Sequence, residues 1–160
     1  MFNVKVSRII KCDPEKVWEL INQVERFPEW MPGVVDARLK SQSRKKGVGR
    51  KQIIITHTDL GKAESLQEVI AWEPPHRITW QHLRDKLDGK EFTHAKEIRT
   101  TLSITNIDGE ITLRMVGSWL PVGVSRRLMN RVMKRTMTRN FEKALENLQG
   151  LLHNSATKGK

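Results

Sequence analysis

The sequence predicts an α+β fold: a curved, seven-stranded antiparallel sheet wrapped around one long C-terminal helix, with two short helices after the first strand. Three observations predict it. From Val122 to His153 there is no proline, and the only glycines are Gly123 and Gly150. Within that stretch Met129, Val132, Met133, Met137, Phe141, Ala144, Leu145, Leu148 and Leu152 recur at three- and four-residue steps, which is one face of an α-helix roughly 40 Å long. Between Val34 and Trp119 the chain reads as runs of about ten residues broken by short turn sequences, the pattern of an antiparallel meander.

Taken in order, Phe2 to Ile10 alternates, with Phe2, Val4 and Val6 on one side, and reads as a strand. Asp13-Pro14-Glu15 starts a helix: Asp13 caps free amides, Pro14 suits the first helical position, and Glu15 suits the positive end of the dipole. Val17, Trp18, Leu20 and Ile21 supply its buried side. A second short helical piece covers Gln23 to Trp30 and is broken by Pro28 and Pro32. Both pieces are too short to stand alone, so they must cover one end of the sheet.

The meander follows as Val34–Lys40, Val48–Thr58, Ala63–Trp72, Arg77–Arg84, Glu91–Thr105 and Glu110–Trp119. Asp59-Leu60-Gly61-Lys62, Glu73-Pro74-Pro75-His76, Asp88-Gly89 and Asn106-Ile107-Asp108-Gly109 are the turns, since proline pairs and Asx-Gly sequences interrupt a ladder. Alternation puts Phe92, His94, Ile98, Thr100, Leu102 and Ile104 on one face of one strand. It puts Ile111, Leu113, Met115, Gly117 and Trp119 on one face of the next. Residues 1–153 are read as a single domain and 154–160, small and polar, as a flexible tail.

The 160 residues carry 29 Lys plus Arg against 18 Asp plus Glu, a formal charge of +11. That excess favours anionic partners and says nothing about fold. The single cysteine, Cys12, forms neither an internal disulfide nor a thiolate cluster. The N-terminus is not a signal peptide, and no segment approaches the roughly 18 apolar residues of a membrane span. A cytoplasmic protein is expected, with no transmembrane segment.

Three stretches carry a resemblance. Asp13-Pro14-Glu15-Lys16-Val17-Trp18 resembles the first helix start of the START-like superfamily, also described as SRPBCC, Bet v 1-like or polyketide cyclase/coenzyme Q-binding. Phe27-Pro28-Glu29-Trp30-Met31-Pro32-Gly33 resembles its lead into the second strand, and Trp72-Glu73-Pro74-Pro75-His76-Arg77-Ile78-Thr79-Trp80 resembles its mid-sheet turn. The resemblance implies a helix-grip fold enclosing a hydrophobic cavity. The superfamily contains lipid carriers, cyclases, quinone-binding proteins and a ribosome-associated toxin group.

The expected cavity lining is Trp80, His82, His94, Ile98, Thr100, Leu102, Met115, Trp119, Met129, Met133 and Met137. His82 and His94 are the residue types that orient a polar ligand end or move a proton near neutral pH; either also reads as an ordinary structural histidine. Methionine suits a pocket for varied apolar shapes, although each of these side chains also reads as core packing. There is no H-E-x-x-H, G-x-S-x-G, G-x-G-x-x-G or Walker sequence, so no metal or cofactor is expected and no catalytic residue is assigned.

Arg127, Arg131, Arg135 and Arg139 stand four residues apart on the long helix, on the side away from Met133 and Met137. Like charges at this spacing destabilise a helix by a few tenths of a kcal/mol per pair, and cations near its N-terminus oppose the dipole. Such a pattern suggests a function, here contact with an anionic membrane surface or ribosomal RNA; a solvated face of a basic protein is the simpler alternative. The leading expectation is a non-enzymatic protein that binds or transports a small hydrophobic, lipid-like molecule. A polyketide cyclase-like enzyme in the same cavity and a ribosome- or RNA-associated protein are the alternatives.

Overall fold

The computed structural model describes residues 1–158, with side chains through Asn154. Its elements run β1 (Phe2–Ile10), α1 (Pro14–Asn22), a single 3₁₀ turn (Val24–Arg26), α2 (Phe27–Trp30), β2 (Val34–Leu39), β3 (Lys51–Thr58), β4 (Gly61–Glu73), β5 (Arg77–Leu87), β6 (Lys90–Glu91), β7 (Ala95–Ile107), β8 (Glu110–Pro121) and α3 (Arg126–Lys158). The sheet order is β1-β8-β7-β5-β4-β3-β2, with β6 added to β5. Every pairing is antiparallel. The α+β architecture with a curved sheet and long C-terminal helix is the one expected; the two-residue β6 is an eighth strand beyond the seven.

The local chemistry of α1 is as read: the Glu15 amide donates to Asp13 Oδ1 at 3.0 Å, Pro14 opens the helix, and Val17, Trp18, Leu20 and Ile21 are buried. The expected strand Glu91–Thr105 is divided. Lys90–Glu91 pairs back onto β5, residues 92–94 lie outside both strands, and β7 begins at Ala95. The register then slips between Lys96 and Arg99, where Glu97 takes a φ of 51°. One extra residue reverses the alternation, so the buried face of β7 is Ala95 before the bulge and Ile98, Leu102 and Ile104 after it. Phe92 and His94 therefore do not share the face of Ile98, Leu102 and Ile104. Their rings stack on each other, centroids 5.2 Å apart.

Helix α3 begins at Arg126 rather than Val122, after Gly123 with its φ of 93°, and continues to Lys158. It thereby includes 154–158 of the expected tail; residues 159 and 160 lie outside the described residues. It packs on β1, β8 and α2. Only its second half is buried, through Phe141, Ala144, Leu145, Leu148 and Leu152. Burial of each large side chain there contributes roughly 1.5–3 kcal/mol, and no residue from Arg126 to Asn140 is buried. Gly117 fixes how closely α3 approaches β8: a Cβ there would lie 2.6 Å from Met137 Cε and 3.0 Å from the Phe141 ring. The first half is tied down by polar contact, Trp119 Nε1 donating to Asn130 Oδ1 at 2.9 Å.

Candidate functional site

The register defines the sheet face beneath α3. Val4, Gly117, Thr100, Trp80 and Val69 pair in one row across β1, β8, β7, β5 and β4. Directly paired residues share a face, so all five lie on the side where Met137 and Phe141 cover Gly117. Toward the β3 end the same face turns polar, as Gln52, Gln67 and His82 pair in the neighbouring row.

These polar groups form one directed chain. Arg50 Nη2 donates to Gln52 Oε1 at 3.0 Å, and Gln52 Nε2 donates to Gln67 Oε1 at 3.1 Å. Gln67 Nε2 donates to His82 Nε2 at 3.2 Å, and His82 Nδ1 donates to Asp85 Oδ1 at 2.9 Å. Donors and acceptors agree only when His82 is the neutral Nδ1–H tautomer, because an Nε2–H would meet the Gln67 amide hydrogens. Reversing Gln67 would reverse Gln52, which would then present its NH₂ to a guanidinium that cannot accept. A buried cation at one end and a carboxylate at the other polarise every link in the same sense.

Arg50 is 1% exposed. Its second anchor is the Asn22 carbonyl, 2.8 Å from Nη1, and its guanidinium lies 5.2 Å from the Trp72 ring centroid. Burial brings its pKa down to about 10, opposed by the charge of Glu25. Burial acts to raise the Asp85 carboxyl, but the His82 hydrogen bond, the charge His82 carries when protonated, the Ser65 hydroxyl and the charge of His94 when protonated together hold it below the usual carboxylate value. Burial depresses His94, with Asp85 opposing and His82 adding to the shift.

Ser65 Oγ lies 3.0 Å from His82 Nδ1, which brings serine, histidine and aspartate together without making a nucleophilic triad. In a triad the carboxylate and the serine engage opposite ring nitrogens. Here both meet Nδ1, and Nε2 is held by Gln67, so His82 has no free nitrogen to take the serine proton. Among the described residues no His, Cys, Asp and Glu are grouped to hold a metal ion.

Several buried donors on or near this face have no acceptor among the described residues: Trp80 Nε1, Trp30 Nε1 and Arg50 Nε; His94 Nδ1 likewise has no partner there. Trp80 is 2% exposed. Phe27 stands edge-on between the two indoles, 5.1 Å from Trp30 and 5.8 Å from Trp80. Buried polar hydrogens normally find partners, so this wall of the interior is rich in unused donors and poor in acceptors.

The family described as polyketide cyclase/dehydrase and lipid transport matches residues 1–153. The chain belongs to that family. Solved structures agree on the START-like fold of this polyketide cyclase/lipid-transport family member. A START superfamily protein from Mycobacterium smegmatis is 12% identical, with a TM-score of 0.72 over 95% of this chain and 97% of that one. A protein from Thermus thermophilus is 15% identical, with a TM-score of 0.75 over 96% and 98%. The di-domain ARO/CYC protein StfQ from the steffimycin biosynthetic pathway is 10% identical, with a TM-score of 0.78 over 97% of this chain and 52% of that one. By sequence, 75 residues are 37% identical to a valine–tRNA ligase of Mycoplasmopsis synoviae, a match that spans 9% of the ligase.

In this family member the residues read from sequence as cavity lining fall into three groups. Trp80, Ile98, Leu102, Met115 and Trp119 are buried in the main core, with Thr100 half-buried beside them. His82 and His94 both bear on Asp85, His82 by a direct hydrogen bond and each through the charge it carries when protonated. Met133 and Met137 are half-buried against the core, whereas Met129 is 37% exposed. Sequence reading missed Arg50, Gln52, Ser65, Gln67 and Asp85. For Arg50, Gln52, Ser65 and Gln67 the signal was present as polar residues at every second position of predicted strands, where a purely apolar inner face would have none; Asp85 lies beyond the predicted strand Arg77–Arg84 and joins them only through the register shift in β5.

The four arginines Arg127, Arg131, Arg135 and Arg139 are exposed. Arg131, Lys134, Arg135, Thr138, Arg139 and Glu142 line a surface groove of about 460 Å³. A second groove of about 430 Å³ lies between β1 and α3, bordered by Val6, Ser7, Arg8, Glu142, Leu145 and Glu146.

Proposed function

We propose that this protein binds a small, mostly apolar molecule bearing a hydrogen-bond-accepting oxygen, held between α3 and the sheet face that carries Trp80. The observation that carries this reading is the Trp80 indole N–H, 2% exposed and without an acceptor among the described residues. A carbonyl or carboxylate oxygen supplies what that donor lacks, and the aliphatic and aromatic surroundings of Ile98, Leu102, Met115 and Trp119 suit the rest of the molecule. Family membership supports a hydrophobic ligand. The half-buried Met133 and Met137 form the flexible side of the site, where α3 is least packed.

Binding without chemistry is favoured over a cyclase-like reaction. Both ring nitrogens of His82 are engaged by protein partners, so His82 is not a free base, and His94, whose Nδ1 has no partner among the described residues, has no serine or cysteine hydrogen-bonded to it to activate.

The test is titration of the purified full chain with a fluorescent fatty acid and with a hydrocarbon analogue lacking oxygen. The acid should bind more tightly, and Trp80→Phe should weaken it about tenfold, near the value of one hydrogen bond, while leaving the hydrocarbon unchanged. Failure of any apolar probe to bind overturns the reading.

A further inference from the structure

The exposed half of α3 has a chemistry that the inner face does not explain. Leu128, Val132 and Met129 are 68, 54 and 37% exposed, and Val124 just before the helix is 106% exposed. Arg126, Arg127, Arg131, Lys134, Arg135 and Arg139 share the same four turns, with no acid before Glu142. None of these six cations forms an ion pair among the described residues.

Their arrangement is ordered. Leu128, Val132, Arg135 and Arg139 follow one another at steps of four, three and four, which is a single row along a helix. Two aliphatic side chains lead that row and two guanidinium groups follow. Arg131 lies on one flank and Met129 on the other. Arg131, Arg135 and Arg139 join Lys134 around the open groove of about 460 Å³, with the Glu142 carboxylate at its far end.

Two kinds of surface carry dense phosphate. A nucleic acid offers charge and stackable bases, and proteins that grip single strands answer with aromatic side chains; this half-helix has none. A bilayer offers phosphate together with an acyl boundary that takes up aliphatic side chains. Only the second uses Leu128, Val132 and Met129 as well as the arginines. No helix among the described residues is long and apolar enough to cross a membrane, so such contact would be in the plane of the surface.

We infer that the first half of α3 is a docking surface for anionic lipid bilayers. Leu128 and Val132 enter the headgroup boundary, and Arg131, Arg135 and Arg139 meet lipid phosphates. The inference does not depend on what the inner face holds.

The experiment is co-sedimentation of the full chain with vesicles of phosphatidylcholine alone or mixed with phosphatidylglycerol, across a salt series, with a structured RNA as a parallel arm. Binding is expected only to the mixed vesicles. The triple variant Arg131→Gln, Arg135→Gln, Arg139→Gln should lose about a hundredfold in affinity, at roughly fivefold per cation near the surface. The pair Leu128→Ser, Val132→Ser should lose at least about tenfold and keep the salt dependence. All five positions are exposed, so the thermal midpoint should hold in both variants. Three results overturn the inference: no binding to mixed vesicles at low salt, vesicle binding that the aliphatic pair leaves unchanged, or tighter binding to RNA than to vesicles that the aliphatic pair leaves unchanged.

Discussion

Gln67 on β4 donates its side-chain amide to Nε2 of His82 on β5, 3.2 Å away. That bond sets the His82 tautomer, and it passes the orientation of Arg50 across three strands. Gln67→Leu should therefore strip partners from Gln52 and His82 together, costing about 1–3 kcal/mol for each buried group left unpaired. Urea denaturation measures the loss. In the parent, imidazole ¹⁵N shifts of His82 should report a hydrogen on Nδ1, and in the variant that preference should relax.

Gly117→Ala should destabilise by about 1–3 kcal/mol, the range for adding a methyl to a filled core. The nearest atom is the end of a flexible side chain, Met137 Cε, so Met137→Ala should recover part of the loss. The remainder belongs to the Phe141 ring, which lies 3.0 Å from the added Cβ and cannot retreat as easily. Thermal melts of the two single variants and the double variant separate these contributions.

Asn130→Leu should leave the Trp119 indole N–H, on a residue that is 0% exposed, without its acceptor. The expected cost is about 1–3 kcal/mol. Asn130 links the unburied half of α3 to the sheet, so amide exchange between Arg126 and Asn140 should quicken more than exchange from Phe141 onward.

Acid should weaken the fold in two stages. Burial holds His94 below its ordinary 6.5, so the folded chain binds that proton less readily than the unfolded chain. The neutral ring's contribution is full above 6.5 and is lost as pH falls through the lower folded value. Asp85 is held below its ordinary 3.8, so its contribution is present above 3.8 and is lost as pH falls through its own folded value. Thermal midpoints measured from pH 7 to pH 3 should show both declines, and His94→Gln should remove the first while leaving the second.

The fold was legible where a period or a turn chemistry fixed it. Asp13-Pro14 started α1, and the Asp88-Gly89 and Asp108-Gly109 pairs placed turns of the sheet. The division of Glu91–Thr105 was not legible, because Glu97 at a φ of 51° has no glycine to announce it. The one-residue slip that follows changes which side chains face inward. The helix pattern gave the length of α3 but not its burial: Met129 and Val132 continue the apolar period as regularly as Leu145 and Leu148, yet only the second pair meets a partner. Periodicity records which side of a helix is apolar and not whether another surface reaches it. The polar chain was hidden for a different reason. Arg50 and Asp85 are far apart in sequence and are joined only by strand register, through Gln52, Gln67 and His82.

β1 and β2 occupy opposite edges of the sheet, and among the described residues β1 is hydrogen-bonded only to β8, with Phe2 facing Trp119. Of the strands in this sheet, β1 is thus the one whose neighbour lies farthest along the chain. No growing chain shorter than β8 can seat it, and Val4 has nowhere to be buried until Gly117 has been made. Closure joins residues more than a hundred positions apart after the meander β2 to β8 has assembled by local hairpins, which makes it the slow, entropy-limited event of folding. Since α3 packs on both β1 and β8, the helix completes its seat only after that closure.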